Sequence, residues 1–289
     1  MDIWPNFFIV GAPRAGSTSL YEYLKETKRV FMSPVKEPYY FAPSVNPEVN
    51  LLRPINDKKK YLELFKNVTD EKAIGEATTS YLWDPQAPNL IHETIPNAKI
   101  IILLRDPIER AFSHYLKQIS SGSETGTFSD SIKKALNAKP DYSGLIIETG
   151  FYYEQVKRYF KIFGKENIKI IIFEEFIKNT KSQFQEILDF LQVDSKAPDN
   201  LGNIYNPSKQ TRGKFSEVII RNKFLRKIGK NILPRSFGTT LKTVFGKDAP
   251  KPSISEPDRK FLQEIYFEDV KKLEKLLNRK LPWLIFQDA

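Results

Sequence analysis

The chain has 289 residues, 40% of them apolar, and carries a net charge of +10 with no cysteine. That is enough to build a sizeable core, while disulfide and thiolate chemistry are excluded and a reducing cytoplasm is the simplest compartment. No stretch approaches the ~20 apolar residues needed to cross a bilayer, and Met1 to Gly11 has no basic lead into an apolar core, so neither a transmembrane segment nor a signal peptide is expected.

In chain order, Asn6 to Gly11 is a short β-rich apolar run. A Gly/Pro/Ser loop follows, and Thr18 to Lys25 alternates faces at helical spacing, giving strand, loop and helix. Ile74 to Tyr81 and Lys99 to Leu104 both read as strands, the second as an Ile/Leu run of the kind buried on both sides of a parallel sheet. Asp106-Pro107 supplies an N-cap and a first-turn proline to a helix carrying Ile108, Ala111, Phe112, Tyr115, Leu116 and Ile119 on one face. Gly150 to Phe163 predicts a helix, Ile168 to Phe173 a buried strand, and Thr180 to Leu191 a further helix.

Residues 201–255 are rich in Lys, Gly and Pro and read as a basic lid or flank, and 256–289 as a C-terminal helix and tail. The alternation predicts an α/β fold in one domain over 1–289: a P-loop-like parallel β-sheet flanked by helices on both faces, with its ligand at the carboxyl ends of the strands. Charge is concentrated from Tyr205 to Lys251, where twelve Lys and Arg face only Glu217 and Asp248. Such a segment attracts a polyanion or is simply a solvated basic face. It lacks a nucleic-acid recognition motif, so no nucleic-acid partner is expected.

Gly11-Ala-Pro-Arg-Ala-Gly-Ser-Thr18 lies between the first strand and helix, where backbone N–H groups and the helix dipole favour a bound phosphate or sulfate. Its spacing is that of a P-loop, but Ser17 stands where the lysine belongs. The strand Ile100 to Leu104 ends in Arg105, a cation where a magnesium enzyme places an acid. Both features argue against a nucleotide kinase or NTPase. Together they call for a 5'-anion held by amides and a second phosphate held bidentately by arginine, with no metal.

Four motifs carry a family resemblance. Phe8 to Leu20 resembles a 5'-phosphosulfate loop, Lys36-Glu-Pro-Tyr-Tyr-Phe41 a K-E-P-x-F-F segment, and Gly75-Glu-Ala-Thr-Thr-Ser-Tyr81 a G-E-[KA]-[ST]-x-x-Y strand. Ile101 to Tyr115 is similar to the 3'-phosphate motif L-R-[DN]-P-x-x-R-[AV]-x-S-x-[YW]. The chain thus resembles the sulfotransferases that use 3'-phosphoadenosine-5'-phosphosulfate (PAPS) and release 3',5'-bisphosphoadenosine (PAP), in their carbohydrate and bacterial branch.

The resemblance implies that Arg14, Ala15, Gly16, Ser17, Thr18 and Ser19 hold the 5'-phosphosulfate, with Arg14 steadying the transferring sulfuryl group. Arg105 and Ser113 hold the 3'-phosphate, with Lys209 and Arg212 from the basic segment as further contacts. Glu37 occupies the position of the glutamate base of glycan sulfotransferases. The chain departs from the pattern at Arg14, where the family's loop has a lysine, and at Ala77, where the heparan-type enzymes have a second one.

Of the two histidines, His92 falls in a surface helix and His114 reads as helix packing, so neither is assigned a catalytic role. Glu76, at a strand end near the site, is read as a residue that supports the site from behind, with a structural hydrogen bond to the phosphate loop as the equal alternative. Tyr39, Tyr40, Phe41 and Tyr81 read as core. The acceptor is left open: a sugar hydroxyl, a glycan amine, a lipid or a carrier-bound acyl chain each suits a glutamate base, and the basic segment leans towards an anionic one. A degenerate polyanion-binding protein is the non-enzymatic rival, disfavoured because Glu37, Arg105 and Ser113 are all present.

Overall fold

The computed structural model describes residues 2–44, 54–137, 145–198, 201 and 253–287. Among them, five strands form one parallel sheet: β1 (Phe7–Gly11), β2 (Val30–Met32), β3 (Ala73–Ala77), β4 (Lys99–Leu104) and β5 (Ile168–Ile172). Their order is β2-β3-β1-β4-β5. Every residue of β1, and β4 from Ile100 onward, is buried, so helices must cover both faces of the sheet centre. Each buried Ile or Leu contributes about 1.5–3 kcal/mol relative to an exposed one.

Among the described residues ten helices accompany these strands. In chain order they are α1 (Ser17–Lys25), α2 (Lys58–Glu63), α3 (Ala87–Thr94), α4 (Pro107–Ser121), α5 (Phe128–Asn137), α6 (Leu145–Glu148), α7 (Tyr152–Phe163), α8 (Phe173–Lys178), α9 (Thr180–Phe190) and α10 (Glu256–Leu277). The predicted caps form. The Asp106 side chain accepts from the Ile108 and Glu109 amides at 2.8 and 3.2 Å, and Ser255 accepts from the Asp258 amide at 3.2 Å. Among the described residues no helix is long and apolar enough to cross a membrane.

The chain leaves β1 toward one edge of the sheet, returns through β3, and continues on the other side through β4. This reversal puts the switch point at the carboxyl end of β1, where residues 12–16 lie.

The structure corrects three expected boundaries. The strand expected over Ile74–Tyr81 ends at Ala77, because the Tyr81 amide turns back onto the Thr78 carbonyl and the Leu82 amide donates to Val10 on β1. The helix expected from Gly150 starts at Tyr152, whose amide donates to Asp269 on α10 at 2.8 Å. Phe173, expected to end a strand, opens α8 instead. Lys209, Arg212 and the basic segment Tyr205–Lys251 lie outside the described residues.

Candidate active site

The loop from Ala12 to Gly16 is shaped by its glycine and by tertiary contacts. Gly16 is the N-cap of α1 with φ 93°, a left-handed conformation that glycine adopts without the Cβ penalty. Having no side chain, it caps none of the first amides of α1, and the first turn holds no acid. The amides of Ser17, Thr18 and Ser19 are therefore left uncapped at the positive end of the helix dipole, an arrangement that suits an anion. Phe173, opening α8, forms a wall of this loop: a Cβ on Gly16 would lie 2.9 Å from its ring.

Beside the loop stands a group of cations. Arg105 ends β4, its Nη1 donates to the Arg14 carbonyl at 3.2 Å, and its guanidinium lies 4.9 Å from the centre of the Phe173 ring. Arg14, itself left-handed at φ 70°, donates from Nε to Ser113 Oγ of α4 at 3.2 Å. Arg110, fully buried on α4, reaches the Ile146 carbonyl and His114. Among the described residues none of Arg14, Arg105 and Arg110 forms an ion pair with a carboxylate.

Burial, then the neighbouring Arg105 and Arg110, lower the pKa of Arg14. Burial, then Arg110 and Arg14, push His114 down to about 3 and keep it neutral. Arg105 Nε is buried with no hydrogen-bond partner. A buried guanidinium donor left open beside two further cations fits a dianionic phosphate. The sequence-predicted Arg14, Arg105 and Ser113 thus come together in one group. Arg14, expected at the sulfuryl end, turns its side chain onto Ser113 and so belongs to the same cluster as Arg105.

Glu37 sits on the other side of the switch point. Its amide donates to the Ala77 carbonyl at 2.9 Å, extending the β2–β3 ladder. Its Oε1 receives Lys36 Nζ and Thr79 Oγ1, each at 3.0 Å, and its Oε2 receives the Thr79 amide at 2.9 Å. Thr79 also borders the phosphate loop, since a Cβ on Gly11 would lie 3.1 Å from its carbonyl oxygen. One residue therefore separates the carboxylate from the start of the loop.

Glu76 stands behind the site, and its carboxyl is bonded by Tyr61, Tyr81 and Thr78, not by the phosphate loop that was the alternative partner. His92 packs its ring against Phe163, 5.4 Å between centroids, and His114 packs within α4, as residue type and position suggested. The site residues that sequence reasoning missed are Thr79, which holds Glu37, and Phe173, which lies against both Gly16 and Arg105. The G-E-A-T-T-S-Y match contained Thr79, and the Phe173-Glu-Glu-Phe stretch contained Phe173, but neither match specified a contact.

A parallel α/β sheet with an amide-lined loop at its switch point, and Arg105 at the strand end where a magnesium enzyme has an acid, has the form of a nucleotide-anion-binding protein. The model of the sulfotransferase domain family matches residues 5–274, and the chain belongs to that family. It is 26% identical over 245 residues to human carbohydrate sulfotransferase 15, a match covering 65% of this chain and 44% of that protein. Human heparan sulfate glucosamine 3-O-sulfotransferase 3B1 is 24% identical over 188 residues, 65% of this chain and 46% of that one. The matches thus span under half the length of these curated relatives. A solved sulfotransferase from Alicyclobacillus acidocaldarius superposes with a TM-score of 0.72 at 28% identity, over 96% of this chain and 98% of that one. A mouse sulfotransferase solved with PAP shares the fold, with a TM-score of 0.53 at 15% identity over 95% and 87% of the two chains.

Proposed function

We propose that this protein transfers a sulfuryl group from PAPS to an acceptor hydroxyl or amine by in-line displacement. The observation that carries the reading is the pair of anion sites of different build on either side of residues 12–16. One is the uncapped start of α1, suited to the 5'-phosphosulfate, and the other is the Arg105–Arg14–Ser113 group, suited to a 3'-phosphate. The donor supplies the sulfuryl group, and the chain supplies binding and a base. Glu37 Oε2, which accepts from the Thr79 amide, keeps a lone pair for the acceptor proton. As the acceptor oxygen or nitrogen bonds to sulfur and the bond to the leaving bisphosphate breaks, that proton passes to Glu37, and the open amides at the start of α1 offset charge on the departing 5'-phosphate.

An anionic glycan is the acceptor class the chain supports best. The basic segment Tyr205–Lys251 favours an acidic partner, and relatives are named for carbohydrate and heparan sulfate substrates. The absence of cysteine supports a cytoplasmic enzyme.

Thermal unfolding with PAP, and with ADP in the presence and absence of magnesium, tests the donor. A ligand at ~100 times its Kd stabilises by about 2.7 kcal/mol, which raises the midpoint by several degrees. The expected result is a shift with PAP that needs no magnesium and a much smaller one with ADP. A magnesium-dependent shift with ADP alone would overturn the reading in favour of an NTPase.

A further inference from the structure

Glu37 is held in a backbone conformation that its own sequence does not favour. Its φ is 61° and that of Tyr39 is 59°, so two non-glycine residues in three adopt the left-handed region. Such a conformation persists only where surrounding contacts over-determine it. Those contacts converge on Glu76.

Glu76, on β3, has no solvent exposure. Its Oε1 receives the hydroxyls of Tyr61 and Tyr81, and its Oε2 that of Thr78, all at 2.9 Å. Each arm leads to the segments that flank Glu37. Tyr81 Oη also accepts from the Phe41 amide at 3.2 Å, fastening the end of the 36–41 loop. The Tyr61 ring stacks on Tyr40 at 4.1 Å and 12°, fastening its middle. Thr78 precedes Thr79, which holds the Glu37 carboxylate through both its amide and its hydroxyl.

We propose that Glu76 is a positioning residue for Glu37, a buried carboxyl whose three hydroxyl partners lock the two loops that aim the base. The inference rests on the reading of Glu37 as that base. A carboxyl in this place is costly for the fold, since burial is what pushes it up to about 7, and its named partners are neutral hydroxyls and not a cation. An apolar residue packs into a sheet centre more cheaply, so the carboxyl is kept for what it holds.

Steady-state kinetics on the full chain, with PAPS and an accepted glycan, tests the lock. Tyr81→Phe removes the hydroxyl joining Glu76 to the Phe41 amide, and it is expected to lower kcat about 10-fold or more while the KM for PAPS stays within about 2-fold. In a Glu37→Gln background the same substitution should cost less than about 2-fold, because a base that is gone cannot be misaimed. At position 76, Gln can accept from both tyrosines and donate to Thr78, so Glu76→Gln should lose several-fold less kcat than Glu76→Ala.

Equal losses from Tyr81→Phe in both backgrounds, or a parallel loss of PAP affinity, would reduce Glu76 to a general structural role and overturn the proposal. Equal losses from Glu76→Gln and Glu76→Ala would overturn it as well. A Glu37→Gln variant with full activity would instead sink the assignment of Glu37 as base. An essential Glu37 with a fully active Tyr81→Phe would sink this inference alone.

Discussion

The arginine group and the glutamate have separable jobs, and single substitutions distinguish them. Glu37 touches the Thr79 amide and Lys36 but no residue of the arginine group, so Glu37→Gln is expected to lower kcat at least ~100-fold with PAP affinity unchanged. Isothermal titration beside initial rates checks this, and a matching loss of PAP affinity would make Glu37 a scaffold residue. Arg105 leaves its buried Nε open for a ligand, and a hydrogen bond to a charged group is worth about 1.5–3 kcal/mol. Arg105→Ala should therefore weaken PAP binding about 10- to 100-fold while changing the binding of adenosine 5'-phosphosulfate, which lacks the 3'-phosphate, by less than about 3-fold. If both nucleotides weaken alike, Arg105 does not read the 3'-phosphate.

At the level of elements, the junction of β1, the phosphate loop and α8 depends on one glycine. A methyl at Gly16 would meet the Phe173 ring at 2.9 Å and would force a Cβ into a left-handed backbone at φ 93°. Left-handed φ alone costs about 1–2 kcal/mol for a residue with a Cβ, and crowding adds to it. Gly16→Ala should lower the unfolding midpoint by several degrees and weaken PAP binding, because displacing Phe173 also moves the face on which Arg105 rests. A variant with wild-type stability and PAP affinity would show that the wall yields freely.

The same junction marks the limit of what the sequence makes legible. β1, β4 and β5 stand out as apolar runs, and α4 and α10 announce themselves through Asp106-Pro107 and Ser255, because these signals are local. The three residues of β2 are too few for a periodic pattern, and Phe173 reads as the end of a strand because its apolar run continues unbroken from Ile170. At the site, the residue types at fixed spacing pointed to Arg105, Ser113 and the loop, which the fold brings side by side. The hold of Thr79 on Glu37 spans 42 residues and the contact of Phe173 with Gly16 spans far more, and no local pattern encodes either.

For the whole molecule, the buried ionisable groups set an opposing pair of pH responses. Burial raises Glu76 to about 7, and Asp106 and Asp269 each to about 6, while it lowers His114 to about 3. A carboxyl raised on folding contributes stability that is fully present below its unfolded range and is lost as pH climbs through the folded value. A depressed histidine contributes stability above about 6.5 that is lost as pH falls toward the folded value. Among the shifted buried groups, Glu76 lies nearest neutrality, faced by Tyr61 from α2, by Thr78 and Tyr81 after β3, and by the charge of Glu37. Its shift from the ordinary carboxyl range amounts to about 3 kcal/mol that the folded protein gives up between roughly pH 4.5 and 7. Urea unfolding of wild type and Glu76→Gln at steps between pH 5 and 8 reads this directly: the wild-type curve should fall relative to the variant as pH rises, with the gap widening until about pH 7 and constant beyond. Curves that stay parallel across the range would mean that the Glu76 carboxyl keeps one charge state throughout, and that the three hydroxyls suffice to hold it ionised.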